Sequence, residues 1–175
     1  MANRTALKEL QTRLAARLQA ARTEAVSVAS WLALECAGRH WLVPLEQAGE
    51  IFAWTDVVAV PYAQPWFLGV ANLRGALVGV IDLARLLDLP AARSEQALAE
   101  SRLLQLGGAL QVNAALLVDR LAGLRSAQDF AGEQPPPAGQ AAYLGSIHTD
   151  AQGVPWQVID MQALAGDARF LRIGL

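Results

Sequence analysis

Ser146, His148 and Asp150 stand at alternate positions in the segment Ser-Ile-His-Thr-Asp, and together they are the side-chain types of nucleophilic acyl transfer. In such a constellation a base takes the hydroxyl proton and a carboxylate orients the base. Cys36 and Ser126 are further candidate nucleophiles. None of these residues sits in the strand-to-helix elbow that lifts a nucleophile clear of a sheet. His148, just ahead of Thr149-Asp150, reads as an exposed turn residue. A small hydrolase built on Ser146, His148 and Asp150 is therefore the alternative, and a non-catalytic chain is the expectation.

Other chemistry is excluded more simply. Glu46 and Glu50 read as surface carboxylates, which are far commoner than acid/base pairs. Gly75 and Gly79 lack the glycine-rich spacing of a phosphate cradle. One cysteine and two histidines, His40 and His148, give no disulfide framework and no metal-ligand spacing, so neither metal nor cofactor is expected. What remains is the run FLGVANLRGALVGVID, residues 67–82, where Arg74 and Asp82 interrupt an apolar stretch.

The 175 residues are 54% hydrophobic and 17% charged, which suits a well-packed fold and not a disordered one. A formal net charge of −2 offers nothing to a nucleic acid. Residues 1–25 mix Arg4, Lys8, Arg13, Arg17 and Arg22 with single leucines, unlike a secretory signal. The apolar stretches fall far short of the ~20 residues that span a bilayer, so a cytoplasmic protein without membrane insertion is expected.

The elements that must position Arg74 and Asp82 follow from periodicity. Leu7, Leu10, Leu14 and Leu18 recur at helical spacing and predict an N-terminal amphipathic helix over residues 1–25, either docked on its own domain or offered to a partner. From residue 26 to 175 the pattern is of short strands punctuated by Gly, Pro and Asp. Strands are predicted at 28–36, 39–44, 50–54, 57–60, 68–73, 77–81, 102–106, 110–118, 121–126, 144–148 and 154–159. Ala37-Gly38 and Gly107-Gly108 read as hairpin turns. Leu83 to Leu89 reads as a short helix stopped before Pro90. Residues 91–100 form a polar connection with helical character, and 131–142, with three consecutive prolines, an exposed loop.

A repeat organises these elements. Phe67-Leu68-Gly69, Gly75 and Val80-Ile81-Asp82-Leu83 match Tyr143-Leu144-Gly145, Gly153 and Val158-Ile159-Asp160-Met161. Two copies of strand, turn, strand, aspartate and short helix imply two similar β subdomains packed together. Asp82 and Asp160 each fall between a strand and a helix, the place of an N-cap. Arg74 has no counterpart in the second copy.

The segment Glu50 to Leu86, with its Glu-Ile strand, proline-containing loop, Gly69-x-x-Asn72-Leu73-Arg74-Gly75 hairpin and Asp82-Leu83 cap, resembles the CheW-like domain of bacterial chemosensory arrays. Leu116-Leu117-Val118-Asp119-Arg120-Leu121-Ala122-Gly123-Leu124 continues the likeness, which covers about residues 28 to 165. The N-terminal leucines and the wording Pro65 to Gly75 resemble most the branch serving type IV pilus twitching systems. The resemblance implies a mainly β fold of two SH3-like five-stranded barrels sharing a core. It also implies a non-enzymatic adaptor between a methyl-accepting chemoreceptor and the regulatory domain of a CheA-type histidine kinase, with no cofactor. Flagellar chemotaxis is the runner-up pathway.

Residue by residue, Glu50 and Arg74 fall on the family's glutamate and arginine, and the resemblance implies an ion pair near a receptor-binding groove. Arg74 reads equally as a tie that only holds the hairpin down, and both readings stand at this stage. Asn72 and Gly75 read as turn formers, and Gly69 as part of the signature. Gly79, Ala71 and Phe52 depart from the usual family residues, and an exposed Phe52 would add apolar contact to a partner surface.

Overall fold

The computed structural model describes residues 30–175. The predicted N-terminal helix lies outside the described residues. Eleven strands form two sheets: β1 (Trp31–Cys36), β2 (Arg39–Pro44), β3 (Ala48–Ala53), β4 (Phe67–Leu73), β5 (Ala76–Asp82), β6 (Arg102–Leu106), β7 (Ala114–Val118), β8 (Arg120–Arg125), β9 (Phe130–Gln134), β10 (Leu144–Asp150) and β11 (Pro155–Ile159). Four short helices accompany them: α1 (Leu83–Leu86), α2 (Glu95–Glu100), α3 (Met161–Ala165) and α4 (Ala168–Leu171).

One sheet has the order β3-β6-β7-β5-β4 and the other β8-β1-β2-β11-β10-β9. Their pairing senses match strand for strand. In each, the strand that ends on a cap aspartate runs parallel to a neighbour, β5 beside β7 and β11 beside β2, and every other pair is antiparallel. The second copy is thus circularly permuted, because its β1 and β2 open the described chain while its other strands close it. Residues 45–47 carry the chain from β2 into the first copy, and Asp119 carries it back out between β7 and β8.

The second sheet has six strands where five were expected, for a local reason. β9 takes up the start of what reads as a proline-rich loop, pairing with β10 ahead of Pro135. Phe130 also packs edge-on against Trp31, at 5.8 Å between ring centroids, which draws that segment onto the sheet. In the first copy the corresponding segment, predicted as the strand 57–60, is reduced to a single bridge between Val58 and Val70. The β6–β7 hairpin exists, but its connection spans residues 107–113. A 3₁₀ turn at Gly108–Leu110 and a left-handed Gln111 replace the tight Gly107-Gly108 turn.

Alternation along the strands distributes the core. In β7 all five residues are buried: Ala114, Leu116 and Val118 face a core shared by both sheets, and Ala115 and Leu117 face the interior of the first copy. β1 and β2 do the same, with Leu34, Trp41 and Val43 in the shared core and Ala33 and Leu42 inside the second copy. A strand covered on both faces reads as a continuous apolar run. That accounts for the greasiness of residues 76–82, where Val78 and Val80 fill the first copy and Ile81 the shared core.

The repeat aligns one residue differently from its sequence match. The Asp82 amide donates to the Trp66 carbonyl and the Asp160 amide to the Tyr143 carbonyl, each at 2.8 Å, so Trp66 and not Phe67 is the partner of Tyr143. Between these bonded residues the second hairpin spans one position more than the first, Tyr143 to Asp160 against Trp66 to Asp82, which shifts the apparent match.

Candidate functional site

The β4–β5 hairpin turns through Arg74 and Gly75, both with positive φ, +49° and +87°. This two-residue turn follows the right-handed twist of the strands, and it favours glycine at its second position. Asn72 completes it, its Oδ1 accepting from the Gly75 amide at 2.8 Å. No side chain could clash at Gly75, yet its φ is one that L-residues avoid.

The turn delivers Arg74 to the surface beside β3. Arg74 Nη1 lies 2.6 Å from Glu50 Oε2, with the two side chains 75% and 55% exposed. Its guanidinium carbon stands 5.7 Å from the centroid of the Phe52 ring. Glu50 and Phe52 are two apart on β3, at the opposite end of the sheet order from β4, so the cluster lies where the sheet curls closed. Phe52 is half-buried: its ring packs on the interior formed by Leu73, Val78 and Leu103 and has the Arg74 guanidinium above it. So exposed an ion pair contributes only about 0.2–1 kcal/mol to stability. Glu50 and Arg74 thus form the ion pair that the resemblance implied, and Phe52 joins them in one surface cluster.

Asp82 and Asp160 both take cap geometry. Asp82 Oδ1 accepts from the amides of Ala84 and Arg85, at 3.0 and 3.4 Å, and Asp160 Oδ1 from those of Gln162 and Ala163, at 2.9 and 3.1 Å. The sequence missed what lies behind each cap. Arg93, in the connection before α2, sends Nη1 to Asp82 Oδ2 at 2.9 Å and Nε to Asp119 Oδ1 at 2.6 Å. Asp119 Oδ2 in turn accepts from the Ala37 amide at 2.7 Å. The Arg93 side chain is only 9% exposed. Burial opposes its charge, but the hydrogen bonds and negative charges of Asp119 and Asp82 outweigh that and raise its pKa above the ordinary arginine value. Cys36, whose Sγ lies 3.7 Å from Arg93 Nη2, is pushed up to about 12, by burial first and then by the charge of Asp119. A thiol so shifted stays protonated and unreactive at neutral pH.

The acyl-transfer constellation does not assemble. Ser146 Oγ lies 3.1 Å from His148 Nε2, but the carboxylate near the imidazole is Glu133, 3.9 Å from the same nitrogen. A triad needs the carboxylate on the other ring nitrogen, where it fixes the tautomer. Asp150 instead accepts from the amides of Gln152 and Val154 and from Trp156 Nε1, bonds that hold its pKa below the usual carboxylate value, the Trp156 bond most of all. His148 is 8% exposed and lies within a strand against Trp31 and Phe130, which corrects the expectation of an exposed turn residue. Ser126 is held by Asp129, capping the 3₁₀ turn at Ala127–Asp129. Among the described residues no group of three or more His, Cys, Asp or Glu is placed to hold a metal ion, and no helix is long and apolar enough to cross a membrane.

Comparison with known proteins bears on the whole chain. The family model of the CheW-like domain matches residues 30–169. Protein PilI of Pseudomonas aeruginosa is 32% identical over 165 residues, 93% of this chain and 89% of that protein. The chemotaxis protein CheW of Bacillus subtilis is 38% identical over 53 residues, 30% of this chain and 34% of that protein. The crystal structure of the scaffolding protein TtCheW from Thermoanaerobacter tengcongensis matches with a TM-score of 0.61 at 18% identity, covering 74% of this chain and 86% of that one, a likeness of fold.

Proposed function

The chain belongs to the CheW-like domain family, and from that premise we propose that it is a non-catalytic chemosensory adaptor coupling a methyl-accepting receptor to the regulatory domain of a CheA-type histidine kinase. The pathway is the control of type IV pili, supported by the likeness to PilI along nearly the whole chain, whereas a likeness to CheW such as that of Bacillus subtilis covers about a third of it. The working place is the cytoplasm, against receptor arrays.

The observation that carries this reading is the Glu50, Phe52 and Arg74 cluster. It spends a left-handed backbone position on an arginine whose ion pair is too exposed to add much stability. Exposed charge over a half-buried aromatic ring suits a protein interface, where Arg and aromatic residues concentrate binding energy. The cluster then sits at the rim of a surface that reads the apolar face of a partner helix.

Size-exclusion chromatography with a purified CheA-type regulatory domain tests the adaptor reading, and co-elution is expected. Arg74→Ala is expected to keep its urea midpoint within about 1 kcal/mol of the parent and to weaken coupling of receptor to kinase by at least about ten-fold. Failure of the parent to bind any such regulatory domain encoded nearby would sink the adaptor. An Arg74→Ala chain that does not fold would return Arg74 to the role of hairpin anchor.

A further inference from the structure

In the first copy the chain runs from α1 to β6 through a connection that carries α2, and Leu98 of α2 packs against that copy's interior. A cavity of about 420 Å³ there has Ala91, Ala92 and Leu98 of the same connection in its wall. The strand register identifies the equivalent place in the second copy. Val80 pairs with Ala115 as Val158 pairs with Leu42, and two residues further on Leu117 pairs with Leu103 as Pro44 pairs with Trp31. Trp31 of β1 is therefore the equivalent of Leu103 of β6. The residues just before Trp31 take the place of the connection that carries α2, because the circular permutation brings the chain into β1 from residues 1–29 and not from the cap helix α3. The helix that does follow α3, α4, sends Phe170 into the shared core. Among the described residues the second copy's own interior is correspondingly thin. Ala33, Leu42 and Trp156 are buried in it, while Trp31, Phe130 and Val158 are only half-buried around them. Beside them a cavity of about 470 Å³ is lined by Trp31, Phe130, Ala131, Ser146, His148 and Val158.

We propose that residues 1–25 of the same chain cover this cavity, laying the stripe of Leu7, Leu10, Leu14 and Leu18 against Trp31, Phe130 and Ala131. Three observations select this occupant. The place is the one that α2 fills over the first copy. The reach is short: residues 26–30 span at most about 18 Å, and in a helix running to residue 25 Leu18 stands only about 10 Å from its end. The leucines therefore cannot travel far from Trp31, which itself forms part of the cavity wall. The chemistry matches as well, since a helix with one apolar stripe needs an apolar surface and this one lacks a cover among the described residues. The second copy would then borrow its lid from the opposite end of the chain to its last strands. The cavity lies within one copy and uses none of the Glu50, Phe52 and Arg74 cluster, so the docked helix stands or falls apart from the adaptor reading.

The test is paramagnetic broadening in the full chain. A nitroxide is attached either to Gln128→Cys, an exposed position next to the cavity wall at Ala127, or to Leu77→Cys, an exposed position on β5 of the first copy. Cys36 is buried with a protonated thiol, which leaves the label to the introduced cysteine. The amide signals of residues 7–18 should lose intensity with the label at 128 and keep it with the label at 77. Leu10→Asp combined with Leu14→Asp should restore those signals under the label at 128 while the signals of β9 and β10 stay broadened by it. The comparison of the two labels is made with the leucines intact, so it does not depend on how the double variant folds. Loss of intensity from the label at 77 alone, or from neither label, would overturn the docking site. Loss of intensity when labelled chain without isotope is mixed with unlabelled ¹⁵N chain would overturn it in favour of a helix exchanged between two copies of the protein.

Discussion

The two copies share an order of strands, and each ties its cap aspartate to the crossing into the other copy, but they use different chemistry. In the first copy Asp82, 2% exposed, is reached by Arg93, which also holds Asp119 at the β7–β8 crossing. In the second, Gln47, at the β2–β3 crossing, donates from Nε2 to Asp160 Oδ1 at 3.2 Å and accepts the Met161 amide at 2.7 Å. One lock is a buried ion network and the other a neutral amide. The difference follows burial: a carboxylate with almost no access to water needs a cation, whereas half-buried Asp160 keeps water as a partner.

Arg93→Ala should break this contrast most severely. It takes from buried Asp82 its nearest cation, leaving only Arg85 at 3.5 Å, and strips Asp119 of the same guanidinium, at a cost of about 3–5 kcal/mol. Gln47→Ala removes neutral hydrogen bonds and should cost about 1 kcal/mol. Urea denaturation of both variants checks the pair, and equal losses would mean that the two locks are energetically alike.

The glycines of β4 and β10 sharpen the comparison next. A Cβ on Gly69 would stand 2.1 Å from the Val58 carbonyl oxygen, at a φ of +137°, because the Val58 bridge crosses directly over it. Gly69→Ala should cost about 3 kcal/mol or more. At Gly145 the nearest atom to such a Cβ is Val158 Cβ at 3.3 Å, and Gly145→Ala should cost less than about 1 kcal/mol. Thermal unfolding distinguishes them, and a mild Gly69→Ala would show that the bridge can move away.

Cys36 probes the ionic lock from inside. Its thiol titrates near 9.0 unperturbed and near 12 in the fold. Between those values the unfolded chain has lost a proton that the folded chain retains, so stability falls as pH rises, by about 1.4 kcal/mol per unit. Tyr143, also raised by burial, adds in the same direction, so the check is the difference between parent and Cys36→Ala in urea melts from pH 8 to 11. Coincident slopes would place the thiol in contact with water. Asp160→Ala should cost about 1 kcal/mol, the worth of a helix cap, against a larger loss for Asp82→Ala, which also takes a carboxylate from Arg93. Equal losses in guanidinium titrations would count against the ionic lock.

Much of this was legible locally. The Asn72, Arg74 and Gly75 turn, the aspartate between strand and helix, and the hairpin at Ala37-Gly38 depend on residues within four positions of each other. The expected strand at 57–60 failed because an extended apolar segment forms a ladder only where a neighbour offers its edge, and here only Val70 does. β9 succeeded against its prolines because pairing to β10 ends at Gln134, before them. Arg93 was invisible because its partners lie 11 and 26 residues away, and nothing near it in sequence names them.

By itself the sequence determined the mainly β grammar, the duplication, the cap aspartates and the family signature, since each is written in spacing or in contacts between near neighbours. Only the tertiary structure decided that the second copy is circularly permuted, that the Phe52 ring lies under the Glu50–Arg74 pair, and that three arginines from both copies converge on one cleft. The physical reason is closure: these groups meet only after the sheets curl and pack on a shared core, and the energy of that packing is spread over residues far apart in the chain.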